Sequence, residues 1–202
     1  MTGRNRFVLV AGALGTLAAA WAVSAGSEVP PAELERARQA AQQLKGELMK
    51  NLTAALAEGG APQGVRVCSE IAPGIAAGLS KDGMTVRRVT TRPRNPANAP
   101  DAAEKQMLDT LAAALARGEK VTELVETSEA VVPPGSGGVA RRNLLYLTPL
   151  TISAPCLRCH GDPAQIDPAV KAVLAEKYPK DQATGYEVGD LRGAVSVRIT
   201  LP

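Results

Sequence analysis

VTELVETSEAVV (residues 121–132) and VARRNLLYLTPL (residues 139–150) flank PPGSGG (residues 133–138), and this arrangement decides the fold class. The flanks are rich in Val, Thr, Leu and Tyr, which suit a pleated and half-buried surface, while the Pro/Gly run supplies a chain reversal. Two strands paired as an antiparallel hairpin are expected. Leu144-Leu145-Tyr146-Leu147 is too uniformly apolar to leave a solvent face that can be assigned. Toward the C-terminus, residues 168–177 read as a short helix, and GAVSVRITL (residues 193–201) alternates as a last strand.

Helical patterns dominate the other direction. Asp101, with Glu104 three positions on, forms a capping-box-like start to a helix whose core face is Met107, Leu108, Leu111 and Leu115, and which Gly118 stops. Residues 85–91 read as extended, ahead of the proline-punctuated loop at residues 92–100. Leu34, Ala37, Ala41, Leu44, Leu48, Leu52 and Ala55 follow helical spacing in a long amphipathic helix that Gly59-Gly60 is expected to end. A second helical face joins Val65, Cys68, Ala72, Ile75 and Leu79, with a kink expected at Pro73. Helices early and mostly antiparallel strands late give an α+β class, one domain over residues 26–202, with a small sheet covered by helices.

Composition narrows the function. The chain has 202 residues, 45% hydrophobic and 21% charged, as ordinary globular chains do. Its formal charge is only +3, and Arg4 and Arg6 supply two of the excess positives, so the remainder is close to neutral. With few aromatics to stack on bases, it has no electrostatic footprint for nucleic acid. Residues 1–25 read as a secretory signal: Arg4 and Arg6 precede a mostly apolar or small run from Phe7 to Val23, and Val23-Ser24-Ala25 fits a small-x-small cleavage site. An uncleaved membrane anchor is the alternative, and either places the rest in the periplasm.

Cys156-Leu157-Arg158-Cys159-His160 carries the chemistry. It is a C-x-x-C-H sequence, the attachment pattern of a c-type haem. Two thiols three positions apart reach the two vinyl groups of one porphyrin as thioethers, and the adjacent imidazole becomes the proximal iron ligand. The sole His of the chain and two of its three Cys fall within these five residues. A four-ligand zinc site would need a second Cys or His pair, and a thioredoxin-like motif would sit near a βαβ pattern that is missing here. A Cys156–Cys159 disulfide in a non-haem periplasmic ligand-binding domain is the remaining competitor.

No second His exists to take the other face of the iron, so Met49, Met84, Met107 and Cys68 are the candidates. Met107 lies on the core face of its helix, Met84 follows Gly83 in a turn, and Met49 sits beside an apolar face. Cys68 has the stronger chemical case, as an unpaired thiol in an exported chain; its alternative role is that of a small buried hydrophobe. Sulfur donation to ferric iron would lower the reduction potential.

Several stretches together resemble a family of exported single-haem c-type domains with a PAS-like fold, found alone and as input modules of bacterial signalling proteins. Cys68-Ser69-Glu70-Ile71-Ala72-Pro73 resembles its Cys-x-x-x-Ala-Pro helix, and Arg94-Asn95-Pro96-Ala97-Asn98-Ala99-Pro100-Asp101, within the stretch from Arg88 to Glu104, its Arg-Asn-Pro-x-Asn loop. Cys156-Leu157-Arg158-Cys159-His160-Gly161 is similar to its haem site. Thr184-Gly185-Tyr186 and Gly189-Asp190-Leu191-Arg192-Gly193-Ala194 resemble the approach to its last strand. The likeness spans residues 34–201. It implies an antiparallel sheet flanked by helices, haem binding by Cys156, Cys159 and His160, and Cys68 as second axial ligand. Signalling members carry an output domain, so a chain that runs from its last strand to Pro202 is expected to act through a separate partner protein.

Arg92 and Arg94 are candidates to pair with haem propionates through their planar forks, and Arg158 is a further one. Asn95 and Asn98 read as turn formers. Tyr146 and Tyr186 are large enough to line a haem crevice. The expected function is a periplasmic mono-haem redox sensor or low-potential electron carrier, not an enzyme. The alternative is a gas- or peroxide-responsive haem with a displaceable axial ligand.

Overall fold

The computed structural model describes residues 29–129 and 142–201. Helix α1 (Pro31–Glu70) opens with Pro31, whose missing N–H has no partner to lose there. Ala37, Ala41 and Leu44 line its fully buried face. At Gly59 and Gly60 the backbone leaves helical geometry, with Gly60 at φ +67°, a conformation that costs a side-chain-bearing residue strain. Gly59-Gly60 therefore ends the first helical run, as expected, and a second run opens at once around Pro62, so that α1 is two helices joined across a kink. The chain breaks again at Ile71 and resumes as α2 (Ala72–Leu79), where Pro73 has no N–H for the carbonyl of Ser69.

Strand β1 (Met84–Val89) leads through a short 3-10 turn at Pro96–Asn98 to α3 (Ala102–Ala116). The capping box is complete: Glu104 N donates to Asp101 Oδ1 and Asp101 N to Glu104 Oε2, both at 2.9 Å. Glu104 is itself buried, and its other oxygen accepts the Ser196 hydroxyl at 2.8 Å, which fixes α3 to the sheet. Then follow β2 (Leu124–Glu129), β3 (Arg142–Thr151), the one-turn α4 (Leu157–His160), α5 (Pro168–Lys177) and β4 (Leu191–Thr200).

The four strands form one antiparallel sheet in the order β1-β4-β3-β2. The hairpin expected from the sequence is present as the pairing of β2 with β3, from Leu124 opposite Leu147 to Glu129 opposite Arg142. Its Pro/Gly turn and the signal-like residues 1–25 lie outside the described residues. Among those described, no helix is long and apolar enough to cross a membrane.

Both faces of the central strands are covered, which explains why residues 144–147 show no solvent face. Leu144, Tyr146, Val195, Val197 and Ile199 pack beneath α1, while Leu145, Leu147 and Ala194 pack with Met107, Leu108 and Leu111 of α3. Met49 is 59% exposed, whereas Met84 and Met107 are buried in these two layers.

The β3–β4 ladder slips where Leu150 faces Gly193 but Thr151 faces Leu191, leaving Arg192 as the extra residue of a bulge. Gly193 has φ +146°, and a Cβ there would lie 2.3 Å from the Val89 carbonyl oxygen. Gly193→Ala is therefore expected to destabilise the fold by at least about 2 kcal/mol in urea titration. Gly46→Ala, inside α1 with open space around it, is expected to be neutral or to stabilise slightly. Equal midpoints for the two variants would refute the need for glycine in the bulge.

Candidate functional site

A cleft of about 770 Å³, counting its open mouth, lies where α1, the end of β1, the proline loop and α4 meet. Cys68, Cys156, Cys159 and His160 all face it, and Leu52, Leu56 and Val65 of α1 give it an apolar wall. Residues on either side of the Gly59-Gly60 kink thus contribute, so the kink shapes the cleft.

Backbone hydrogen bonds fasten the Cys156–His160 segment to the approach to β4. Gly185 N donates to Gly161 O at 2.7 Å and Tyr186 N to His160 O at 2.9 Å. On the imidazole, Nδ1 lies 2.7 Å from the Ala183 carbonyl oxygen. A carbonyl only accepts, so Nδ1 carries the proton and Nε2 keeps its lone pair, the form required of a metal ligand. The Tyr186 ring meets the imidazole edge-on, with centroids 6.2 Å apart. Burial, aided by Arg94 and Arg192, pulls His160 down to about 3, so the ring is neutral at ordinary pH.

Arg94 is the clamp of this assembly. Its Nε donates to Asp181 Oδ2 at 2.9 Å, and its Nη2 to the carbonyls of Cys159 and Ala183. One buried guanidinium thereby ties the proline loop to the Cys156–His160 segment and to the carbonyl that orients His160. Burial raises the thiols of Cys68 and Cys159, while Arg94 pulls both back down, joined by Arg88 at Cys68 and by Arg158 at Cys159. All three cysteines are free thiols. They and His160 share one cleft but do not close on a point: among the described residues no group of three or more His, Cys, Asp or Glu is placed to hold a bare metal ion. Such a spread donor set suits an extended planar group rather than zinc.

Residues 27–200 match the Tll0287-like family (Tll0287). The chain belongs to this family. A solved structure described as the cyanobacterial heme-protein Tll0287 shares its fold, with a TM-score of 0.59 and 29% identity over 86% of this chain and 97% of that one. No curated protein matches.

In this Tll0287-like chain three of the expected cofactor contacts fall elsewhere, Tyr186 among them, since it meets the imidazole edge-on without lining the cleft. Tyr146 is not a wall of the cleft, because its place in β3 turns it into the layer beneath α1. There burial and the Glu123 carboxylate push its phenol up to about 12. Arg92 is not a wall either: its guanidinium lies 4.2 Å over the Tyr186 ring and donates to the carbonyls of Gln182 and Thr184. Arg94 and the exposed Arg158 do reach the cleft, with the fork of Arg94 already engaged. None of Met49, Met84 and Met107 lines it. Asn95 keeps its turn role, accepting from Ala97 N at 3.0 Å, although both it and Asn98 also border the cleft.

Two charged walls of the Tll0287-like cleft escaped sequence reasoning as site residues. Arg88 had a legible signal, since it falls in step with Met84 and Val86 on the α1 side of β1, an apolar face on which a cation is out of place. Arg192 stands in the stretch that resembles the family's approach to its last strand, but nothing there told that the bulge would turn it inward.

Proposed function

We propose that this chain is a mono-haem c-type protein of the periplasm with a PAS-like fold, acting in redox sensing or low-potential electron transfer rather than catalysing a reaction. The convergence of Cys156, Cys159, His160 and Cys68 on one cleft, too spread for a bare ion, carries this reading. The kinship with a solved heme-protein supports it.

The residues present fit the group. Cys156 and Cys159 would hold it by thioethers, His160 through the free Nε2, and Cys68 from the α1 side, while Leu52, Leu56 and Val65 exclude water. When bound, haem supplies a one-electron couple. Protein groups tune such a couple through ligand identity, burial and nearby charge, and an axial thiolate favours the ferric state. Arg94 holds the Cys159 and Ala183 carbonyls, so the imidazole cannot turn freely between the two oxidation states. A separate protein would supply or take the electron, or read the state.

The chain expressed in a host competent for cytochrome maturation is expected to carry the added mass of one tetrapyrrole. Its Soret band is expected to persist through acid-acetone extraction, and the reduced protein to bind carbon monoxide poorly. A mature chain without the added mass overturns the haem reading. Rapid and tight carbon monoxide binding would instead favour the gas-responsive alternative.

A further inference from the structure

Three guanidiniums enter the cleft from the sheet and its neighbouring loop, and only one of them is neutralised. Arg94 pairs with Asp181. Arg88 donates no hydrogen bond and meets no carboxylate among the described residues. Arg192 gives one Nη1 contact to the Thr90 hydroxyl at 3.2 Å and one to the Arg92 carbonyl at 3.4 Å, both uncharged, and among the described residues it forms no ion pair, the Tyr186 ring at 5.7 Å and the more distant Asp181 carboxylate offsetting only part of its charge. Burial, with Arg94 and Arg88 nearby, drives the Arg192 guanidinium down to about 10. Bringing like charges into a partly enclosed cleft is costly without a partner of opposite sign.

The two unneutralised cations come from adjacent strands. Arg88 of β1 stands opposite Val195 of β4, and Arg192 is the bulge residue of β4 three positions earlier. Both therefore face the cleft from the sheet side, with forks left for an acceptor that is itself forked. Two guanidiniums facing the same space match a ligand with two carboxylates.

We propose that Arg88 and Arg192 form a carboxylate-binding end of the cleft that takes the paired carboxylates of the tetrapyrrole. This rests on the haem reading and adds an orientation to it: the acidic edge of the macrocycle turns toward the sheet. It also reassigns the role first expected of Arg92 and Arg94. Arg92 is stacked outside on Tyr186, and Arg94 holds protein carbonyls.

The haem-loaded full chain tests this in three forms: unsubstituted, Arg88→Gln/Arg192→Gln, and Arg117→Gln, whose guanidinium is exposed and paired with Glu119. The double variant is expected to keep the covalent mass. It should shift the propionate bending bands in resonance Raman spectra and show a lower reduction potential, because two positive charges near the iron are lost. Arg117→Gln is expected to match the unsubstituted chain in both readouts. If the double variant does not accumulate, Arg88→Lys reads the same bands, with charge kept and the fork lost. Unchanged bands and potential in a loaded variant would overturn the assignment. A saturable shift of the unsubstituted chain's potential by inorganic phosphate, absent in the double variant, would overturn it in favour of a diffusible anion. An unsubstituted chain without haem overturns the underlying reading instead, so the two failures are distinguishable.

Discussion

Cys156→Ser/Cys159→Ser is expected to leave the maturation host without covalent haem, and any haem it retains should be removed by acid-acetone. The two thiols lie on the single turn joining the Ala154–Cys156 3-10 segment to α4, and both face the cleft. Each thioether anchors one edge of the macrocycle, so a single substitution leaves one bond and the double leaves none. His160 would still present Nε2, because its orientation comes from the Ala183 carbonyl and not from the thiols. Non-covalent haem is then expected to bind reversibly, and the stabilisation that a ligand confers by binding only the folded state falls with its occupancy. Intact mass and thermal unfolding check this together: attached mass lost entirely, and a transition that becomes dependent on added haem. Non-extractable haem in the double variant would contradict the role of the two thiols.

Cys68→Ala is the second large effect. It is expected to convert a six-coordinate low-spin ferric spectrum to a five-coordinate one, to remove the axial-sulfur signature in electron spin resonance, and to raise the reduction potential. A thiolate stabilises ferric iron, and among the described residues no methionine is placed to substitute, since Met49 is exposed while Met84 and Met107 are locked in the two core layers. A purely packing role for Cys68 would cost about 1 kcal/mol of stability and leave the spectrum alone. An unchanged low-spin spectrum in that variant would exclude sulfur ligation.

What was legible in the sequence follows the range of the interactions involved. The capping box at Asp101 and Glu104, the α5 helix, the hairpin of β2 with β3 and the C-x-x-C-H turn depend on groups a few positions apart, where spacing alone carries the signal. Gly59-Gly60 was legible as the end of one helical run, but how directly the next run follows across the kink depends on Pro62 and on the packing of both halves. Tyr146 and Arg92 were misplaced for a related reason: a ring or a fork has suitable chemistry anywhere, and only strand register or a stacking partner decides where it points.

By itself, then, the sequence determined the α+β class, the element order and the turn that presents two thiols and one imidazole, because these are set by local periodicity and capping. Only the tertiary structure decided that Cys68 and His160, 92 positions apart, face one cleft, that Arg94 holds their surroundings together, and that a bulge turns Arg192 inward beside Arg88. Those outcomes depend on ladder register and on helix packing across the sheet, which no window of neighbouring residues encodes.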